Sequence, residues 1–141
     1  MSWNLSFSYL EEYDPGQPGI SIPVTLRLAE REAPCLAKID TGSSDCIFRR
    51  FQGELLGLNI ESGNLRDFSS ATGAFRAYGH SVTLIVAGME FDSMVYFAAH
   101  EGYNRNVLGR HGWLNKVRLG LIDYEGKLYL NRADEAEGQS E

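Results

Sequence analysis

Short stretches of alternating hydrophobic and polar residues run along most of this chain. Alternation with a period of two is typical of β-strands that bury one face. Hydrophobic positions of this kind are Trp3, Leu5 and Phe7, then Ile22, Val24, Leu26 and Leu28. Further strand-like runs are 35–39, 46–48, 78–86, 89–97, 117–123 and 127–130. The pattern therefore predicts many short strands rather than long helices.

Turn-forming residues separate these runs. The segment 14–19 contains two prolines and two glycines and is predicted to be a loop. The segments 69–73, 87–88 and 124–126 each lie between two strand-like runs, as hairpin turns do. We therefore expect consecutive strands to pair in an antiparallel manner at these three places.

Two segments favour short helices. One is 49–58, whose hydrophobic face would hold Phe51, Leu55 and Leu58, although its glycines lower its helix propensity. The other is 113–117, with room for one or two turns. Many short strands, frequent glycine turns and one or two short helices predict an all-β barrel or sandwich.

The composition fits a folded domain. Hydrophobic residues make up 43% and charged residues 23% of the 141 residues, which argues against intrinsic disorder. A chain of this length is expected to form one domain, which we place at 1–132. Within it, 1–19 would be an N-terminal strand and loop extension. The remaining segment, 133–141, is predicted to be a flexible acidic tail.

The net charge of −6 is concentrated in that tail. The tail holds four acidic residues and no basic one, which leaves 13 basic residues against 15 acidic residues in the rest of the chain. A nearly neutral body offers no basic surface to nucleic acid or to an anionic membrane. Neither is therefore expected as a partner.

The cysteines, the N-terminal residues and the histidines predict neither secretion nor a metal site. Cys35 and Cys46 form no C-x-x-C pair, and the first ten residues lack the basic and apolar regions of a signal peptide. We therefore expect a cytoplasmic protein with reduced thiols. The histidines, His80, His100 and His111, do not pair with the cysteines at metal-ligand spacing, so neither a metal nor a cofactor is expected.

The most informative segment is Asp40-Thr41-Gly42-Ser43-Ser44, which directly follows a strand-like run. A carboxylate at the end of a buried strand, followed by small residues, can be lifted into a cleft. Ser43 could donate a hydrogen bond that favours the ionised carboxylate. The alternative is an ordinary turn in which Asp40 caps the backbone. Alone, the Asp-Thr-Gly triplet is expected by chance in roughly a few per cent of chains of this length.

A second segment, Val107-Leu108-Gly109-Arg110, gains meaning only in combination with the first. By itself it is typical of a buried strand end before a turn. Together, however, the two segments resemble the retropepsin-like aspartic proteases, the single-domain group that includes the retroviral proteases. The segment around Asp40 is similar to their catalytic loop, and the second to their apolar-apolar-Gly-Arg segment beneath that loop.

The resemblance covers residues 20–130 and extends to a flap hairpin between the two segments. It implies a closed β-barrel with one or two short helices and a flap. One departure follows Arg110, where the family often has an acidic residue or its amide and this chain has His111. Two interpretations of Arg110 stay open, namely a pair with Asp45 and a solvated side chain.

The resemblance also implies a role for each matching residue. The catalytic residues would be Asp40, Thr41 and Gly42. The substrate-binding residues would be Ser43, Ser44, Ser70, Ala71, Thr72, Gly73, Ala74, Val107 and Leu108. The residues that support the site would be Gly109 and Arg110. No cofactor and no metal would take part.

Because the chain has one Asp-Thr-Gly, this chemistry implies a homodimer. Two carboxylates must share one proton, so Asp40 of each copy would meet at a two-fold axis, with the Thr41 side chains bracing the loops. The expected activity is an aspartic endopeptidase acting on peptides or proteins. Two alternatives remain: a catalytically inactive dimerisation or peptide-binding module of the same fold, and a structural β-domain.

Overall fold

The computed structural model describes residues 1–71 and 73–135 of the chain. These residues form ten strands, one α-helix and three single 3-10 turns. The strands are β1 (Tyr9–Glu12), β2 (Ser21–Leu28), β3 (Arg31–Ile39), β4 (Ile47–Phe48), β5 (Asn64–Ser70), β6 (Gly73–Val86), β7 (Met89–Ala98), β8 (Val107–Leu108), β9 (Val117–Ile122) and β10 (Lys127–Arg132). The helix is α1 (Arg50–Leu55), and the 3-10 turns are Ile60–Ser62, Leu114–Lys116 and Asp123–Glu125.

Six strands close into a ring. Their order is β2, β3, β8, β4, β7 and β6, and β6 pairs back onto β2 through Leu26 and Leu84. Strand β5 extends the sheet beyond β6, and a second sheet holds β1, β10 and β9. The predicted all-β architecture with a closed barrel is confirmed.

The inside of the ring is filled by the alternating residues that the sequence pattern indicated. Ile22, Val24 and Leu26 of β2 are buried in one continuous core together with Phe91 of β7 and Trp113. Fully burying a side chain of this size contributes about 1.5–3 kcal/mol relative to leaving it in water. The hydrophobic face of β2 therefore lies where the period-two pattern placed it.

The expected strand at Trp3, Leu5 and Phe7 is wrong. The first strand is β1, which pairs with β10, whereas Trp3 and Leu5 remain 85% and 58% exposed. Before β1 the backbone is held by side chains instead of a strand ladder, since Asn131 accepts the Ser8 N–H. Alternation alone does not make a strand, because a strand needs a neighbouring backbone in register.

The helix exists, but its expected face is wrong. Phe51 and Leu55 are exposed, whereas Gln52 and Gly53 are buried. A Cβ at Gly53 would lie 2.5 Å from Cδ1 of Ile60 and 2.9 Å from Cδ1 of Phe97. The glycine side of the helix therefore faces the barrel, because only a residue without a side chain permits this close approach.

No helix within the described residues is long and apolar enough to cross a membrane.

The predicted acidic tail is described only in part. Of the tail predicted at 133–141, residues 136–141 lie outside the described residues. At its start, the Ala133 N–H donates to the Lys116 carbonyl at 2.9 Å and the Asn131 amide donates to Glu135 at 2.8 Å.

The close contact of the helix predicts the effect of Gly53→Ala. Alanine favours a helix over glycine, yet the added methyl group would overlap the Ile60 and Phe97 side chains. We expect the free energy of unfolding to fall by about 1–3 kcal/mol, the usual cost of overpacking. Urea denaturation measures this free energy of unfolding.

The matched control is Gly102→Ala, where a Cβ would meet no atom within 4 Å. That variant is expected to change the free energy of unfolding by less than about 1 kcal/mol. Equal effects of the two variants would contradict the role assigned to Gly53.

Candidate active site

Asp40 directly follows strand β3, whose end is held by pairing with β8. Strand β3 pairs in parallel with β8, through Lys38 with Val107 and Ile39 with Leu108. The Asp40 N–H then donates to the Leu108 carbonyl at 3.0 Å, which continues the pairing by one residue. Asp40 is half-buried as a result, with its backbone anchored in the sheet.

The turn after Asp40 is a tight one. The Ser43 N–H donates to the Asp40 carbonyl at 3.1 Å, and the Gly42 N–H donates to Oδ1 of the Asp40 carboxylate at 2.9 Å. The turn thus fixes the orientation of the carboxylate through its own backbone.

Ser43 does not donate to that carboxylate, contrary to expectation. Its hydroxyl donates to the Asp45 carbonyl at 2.8 Å. The reason is local, since the turn brings the carbonyl two residues ahead within reach of the hydroxyl. The donor to Asp40 is therefore the Gly42 backbone.

The segment 107–111 lies directly against the Asp40 turn. The Arg110 N–H donates to the Ser43 carbonyl and the His111 N–H to the Ser44 carbonyl, both at 2.9 Å. A Cβ at Gly109 would overlap the Asp45 carbonyl oxygen and lie 2.8 Å from that of Ser43. Gly109 is thus the residue that lets two backbones pack in contact here.

The ionic partner of Asp45 is Arg66, not Arg110. Asp45 is only 5% exposed, and its Oδ2 accepts a hydrogen bond from the Ser44 hydroxyl at 2.8 Å and lies 3.1 Å from Nη2 of Arg66. Arg110 is exposed. The solvated interpretation of Arg110 is therefore confirmed, because the buried carboxylate faces β5 and is reached from that strand.

Arg66 also packs against aromatic rings. Its guanidinium carbon lies 5.1 Å from the Phe68 ring centre and 5.2 Å from the Tyr96 ring centre, and Nη1 donates to the Tyr96 hydroxyl at 3.2 Å. Such cation–π contacts stabilise a guanidinium in a fixed position. The side chain therefore joins β5, β7 and the loop after Asp40.

Strands β5 and β6 form a hairpin above this loop. It is paired from Asn64 with Gly79 up to Ser70 with Gly73. Beneath it is a cavity of about 360 Å³, called here the Asp40 cavity. Its lining residues are Asp40, Gly42, Ser43, Ser44, Ile47, Phe68, Ser69, Ser70, Ala71, Phe75, Tyr103, Arg105 and Val107. The structure thus brings the Asp40 turn, the hairpin and β8 to one cavity.

The other predicted site residues lie elsewhere. Thr41 is exposed and does not line this cavity. Gly73 and Ala74 line a neighbouring cavity of about 430 Å³, called here the outer cavity. Leu108 is fully buried in the main core. Thr72 lies outside the described residues.

Aromatic residues of the cavity were missed by sequence reasoning. Phe68 and Phe75 are register partners whose ring centres lie 5.5 Å apart, and Tyr103 lies 4.7 Å from Phe75. Ile47 and Arg105 complete this group of unanticipated lining residues. One signal was present in the sequence, since Phe68 and Phe75 are equally far from positions 71 and 72 and so pair in any hairpin whose loop consists of those two positions.

Charges in the cavity act on Tyr103. Burial raises the pKa of its hydroxyl above the ordinary value, the Arg105 guanidinium lowers that pKa, and the Asp40 carboxylate raises it. Both charges therefore lie within electrostatic range of one phenol.

The ion pair of Asp45 predicts the effect of Arg66→Met. Methionine keeps an unbranched apolar stem but removes the guanidinium. Within the described residues, the Ser44 hydroxyl is then the side-chain donor left to the buried Asp45 carboxylate. We expect the free energy of unfolding to fall by about 1–3 kcal/mol. Chemical denaturation is the measurement.

Arg76→Met on the next strand is the control. Arg76 pairs with Asp67 at 3.3 Å, and both side chains are largely exposed. A solvent-exposed pair contributes little, so a change of less than about 1 kcal/mol is expected. A loss at Arg66 no larger than that at Arg76 would show that the pair with the buried Asp45 carboxylate does not stabilise the hairpin.

Comparison with known proteins defines the fold. No family model matches the chain, and no curated protein matches it in sequence. Solved structures do match. A retropepsin-like aspartic protease from Rickettsia conorii has a TM-score of 0.61 at 17% identity, over 91% of this chain and 100% of that one.

A second similar structure is EIAV protease in complex with the inhibitor HBY-793. Its TM-score is 0.52 at 15% identity, over 67% of this chain and 85% of that one. The chain therefore has the retropepsin-like fold. At these identities the similarity concerns the fold, and what the Asp40 cavity does has to be argued from its own residues.

Proposed function

We propose that this chain is an aspartic endopeptidase that acts as a homodimer, with Asp40 of each copy forming the catalytic pair. The observation that carries the proposal is the position of Asp40. It is a carboxylate at the end of an anchored strand, in the wall of a cavity covered by a β-hairpin, within a retropepsin-like fold.

The chemistry requires two carboxylates that share one proton. Two like charges so close cannot both be ionised, so one carboxylate activates a water molecule and the other donates its proton to the peptide carbonyl oxygen. The Gly42 N–H donates to Oδ1 of Asp40 and so orients the carboxylate. Of the described residues that line the Asp40 cavity, Asp40 alone carries a carboxylate. The second carboxylate would come from a second copy.

Two exposed features support association of two copies. Strand β9 pairs on one side with β10, and its other edge has no partner strand within the described residues. Leu121 and Ile122 of β9 are 46% and 43% exposed. An unpaired apolar strand edge readily pairs with another chain. Thr41, exposed beside Asp40, would contact its counterpart across the two-fold axis.

The substrate would be an extended peptide. Residues of the hairpin and the Ser43 and Ser44 segment both line the Asp40 cavity. Extended peptides bind between such segments through main-chain hydrogen bonds, while side pockets select their side chains. The pockets here are aromatic and aliphatic, owing to Phe68, Phe75 and Val107.

Replacing the Asp40 carboxylate is the direct test. Asp40→Asn keeps the shape of the side chain but removes the base, so cleavage of a mixed peptide library should fall at least about 100-fold. Assays at acid and neutral pH cover both ionisation ranges. The control is Asp92→Asn, which replaces an exposed carboxylate outside both cavities that accepts a hydrogen bond from Thr83. This variant should cleave like wild type. The proposal fails if wild type cuts nothing, or if Asp40→Asn cuts equally well. Peptide binding without turnover would favour the peptide-binding module.

A mixing experiment tests whether two chains share one site. Excess Asp40→Asn chains should inhibit wild type, because each mixed dimer has lost one carboxylate. With a tenfold excess, nearly all wild-type chains would sit in mixed dimers, so activity should fall about tenfold. The measurement is cleavage rate against mixing ratio.

The control combines Asp40→Asn with Leu121→Asp. The charge on the β9 edge should prevent pairing and therefore abolish the inhibition. Tyr124→Asp, at a more exposed position in the following 3-10 turn, should leave the inhibition in place. A wild-type rate insensitive to added Asp40→Asn chains would contradict a shared site.

A further inference from the structure

The Asp40 cavity and the outer cavity are parts of one cleft. They share four lining residues, namely Ser70, Phe75, Tyr103 and Arg105. The outer cavity adds Gly73, Ala74, His100, Gly102 and Asn104. The cleft therefore runs from the Asp40 turn, past Tyr103 and Arg105, to the outside of the hairpin.

The cleft carries one charge of each sign. Among the described residues that line the two cavities, Asp40 carries the only carboxylate and Arg105 is the only lysine or arginine. Arg105 is exposed and has neither an ion pair nor a side-chain hydrogen bond within the described residues. By contrast, Arg66 and Arg76 of the neighbouring hairpin each pair with an aspartate.

The backbone that carries Arg105 is well anchored on one side. The next residue, Asn106, accepts the Lys38 N–H through its carbonyl at 2.8 Å and the Arg49 N–H through its side chain at 3.0 Å. Its amide also donates to the Leu36 carbonyl at 3.3 Å. The backbone next to Arg105 is thus held in place, so less backbone freedom is lost when the side chain binds a ligand.

Arg105 also lines the cavity that holds Asp40. Tyr103 lines it as well, and its hydroxyl is within electrostatic range of both charges. A peptide held over Asp40 would therefore pass within reach of Arg105. Carboxylates are the peptide groups that a guanidinium binds best, through two parallel hydrogen bonds.

We propose that Arg105 is a specificity-determining residue, which makes the cleft select peptides with an acidic side chain a few residues from the scissile bond. This inference rests on the proposed peptide-cleaving function. It adds a charge requirement to the apolar pockets, and it assigns that requirement to one side chain.

The test uses the 141-residue chain with Asp40→Asn, which should bind peptides without cleaving them. The probes are fluorescein-labelled decapeptides with two central phenylalanines and a single glutamate scanned through the other positions, each matched by the same peptide with glutamine. At one position or more, the glutamate peptide should bind about three- to tenfold more tightly at low salt. Fluorescence anisotropy measures this ratio, and it should shrink as salt screens the pair.

Charge changes at Arg105 give the decisive comparison. Arg105→Gln should reduce the glutamate-to-glutamine ratio to about one, and Arg105→Lys should retain part of it. Arg105→Glu should reverse it, so that a lysine peptide binds best. The matched control is Arg76→Gln, which removes an exposed arginine outside both cavities and should leave the ratio unchanged.

The outcomes separate this inference from the proposed function. Equal binding of glutamate and glutamine peptides at every position overturns the inference, even if wild type cleaves them. Selective binding that survives Arg105→Gln overturns it as well. Selective binding that requires Arg105, without cleavage by wild type, supports the inference and refutes the endopeptidase. No binding of any peptide overturns both.

Discussion

The contact between the Asp40 turn and the segment 107–111 is the constraint on which the rest of the site depends. Parallel pairing of β3 with β8 fixes where β3 ends, and backbone hydrogen bonds from Arg110 and His111 hold the turn beyond it. Gly109 allows this because any side chain there would overlap the turn backbone. Since these bonds use main-chain atoms, they position the Asp40 carboxylate with little dependence on side-chain rotamers.

The hairpin is connected to that turn by one buried charge. Asp45 follows the turn and receives Arg66 from β5, while Phe68 and Tyr96 hold the guanidinium in place. A buried carboxylate is costly without a partner, so the loop and the hairpin strand stabilise each other's position. Arg66 thus joins the hairpin to the loop after Asp40, whereas Arg105 lines the Asp40 cavity itself.

Much of the fold followed from local patterns. The alternation in β2 and the turns at 69–73, 87–88 and 124–126 predicted strands and hairpins that the structure contains, because both signals act between neighbours in sequence. The same alternation failed at Trp3 and Leu5, which belong to no strand of the part of the chain that the structure describes. The face of α1 failed as well, because Gly53 packs by having no side chain, which a count of hydrophobic residues does not detect.

The sequence by itself determined the all-β class, the strand that ends at Asp40, and the two segments whose order resembles the retropepsin-like proteases. The tertiary structure decided which side chains meet: Arg66 rather than Arg110 reaches Asp45, and Phe68, Phe75, Tyr103 and Arg105 join Asp40 in one cavity. The physical reason is the distance along the sequence over which each interaction acts. Turn and strand preferences act over a few residues, whereas the partner of a buried charge is set by how distant strands close the barrel.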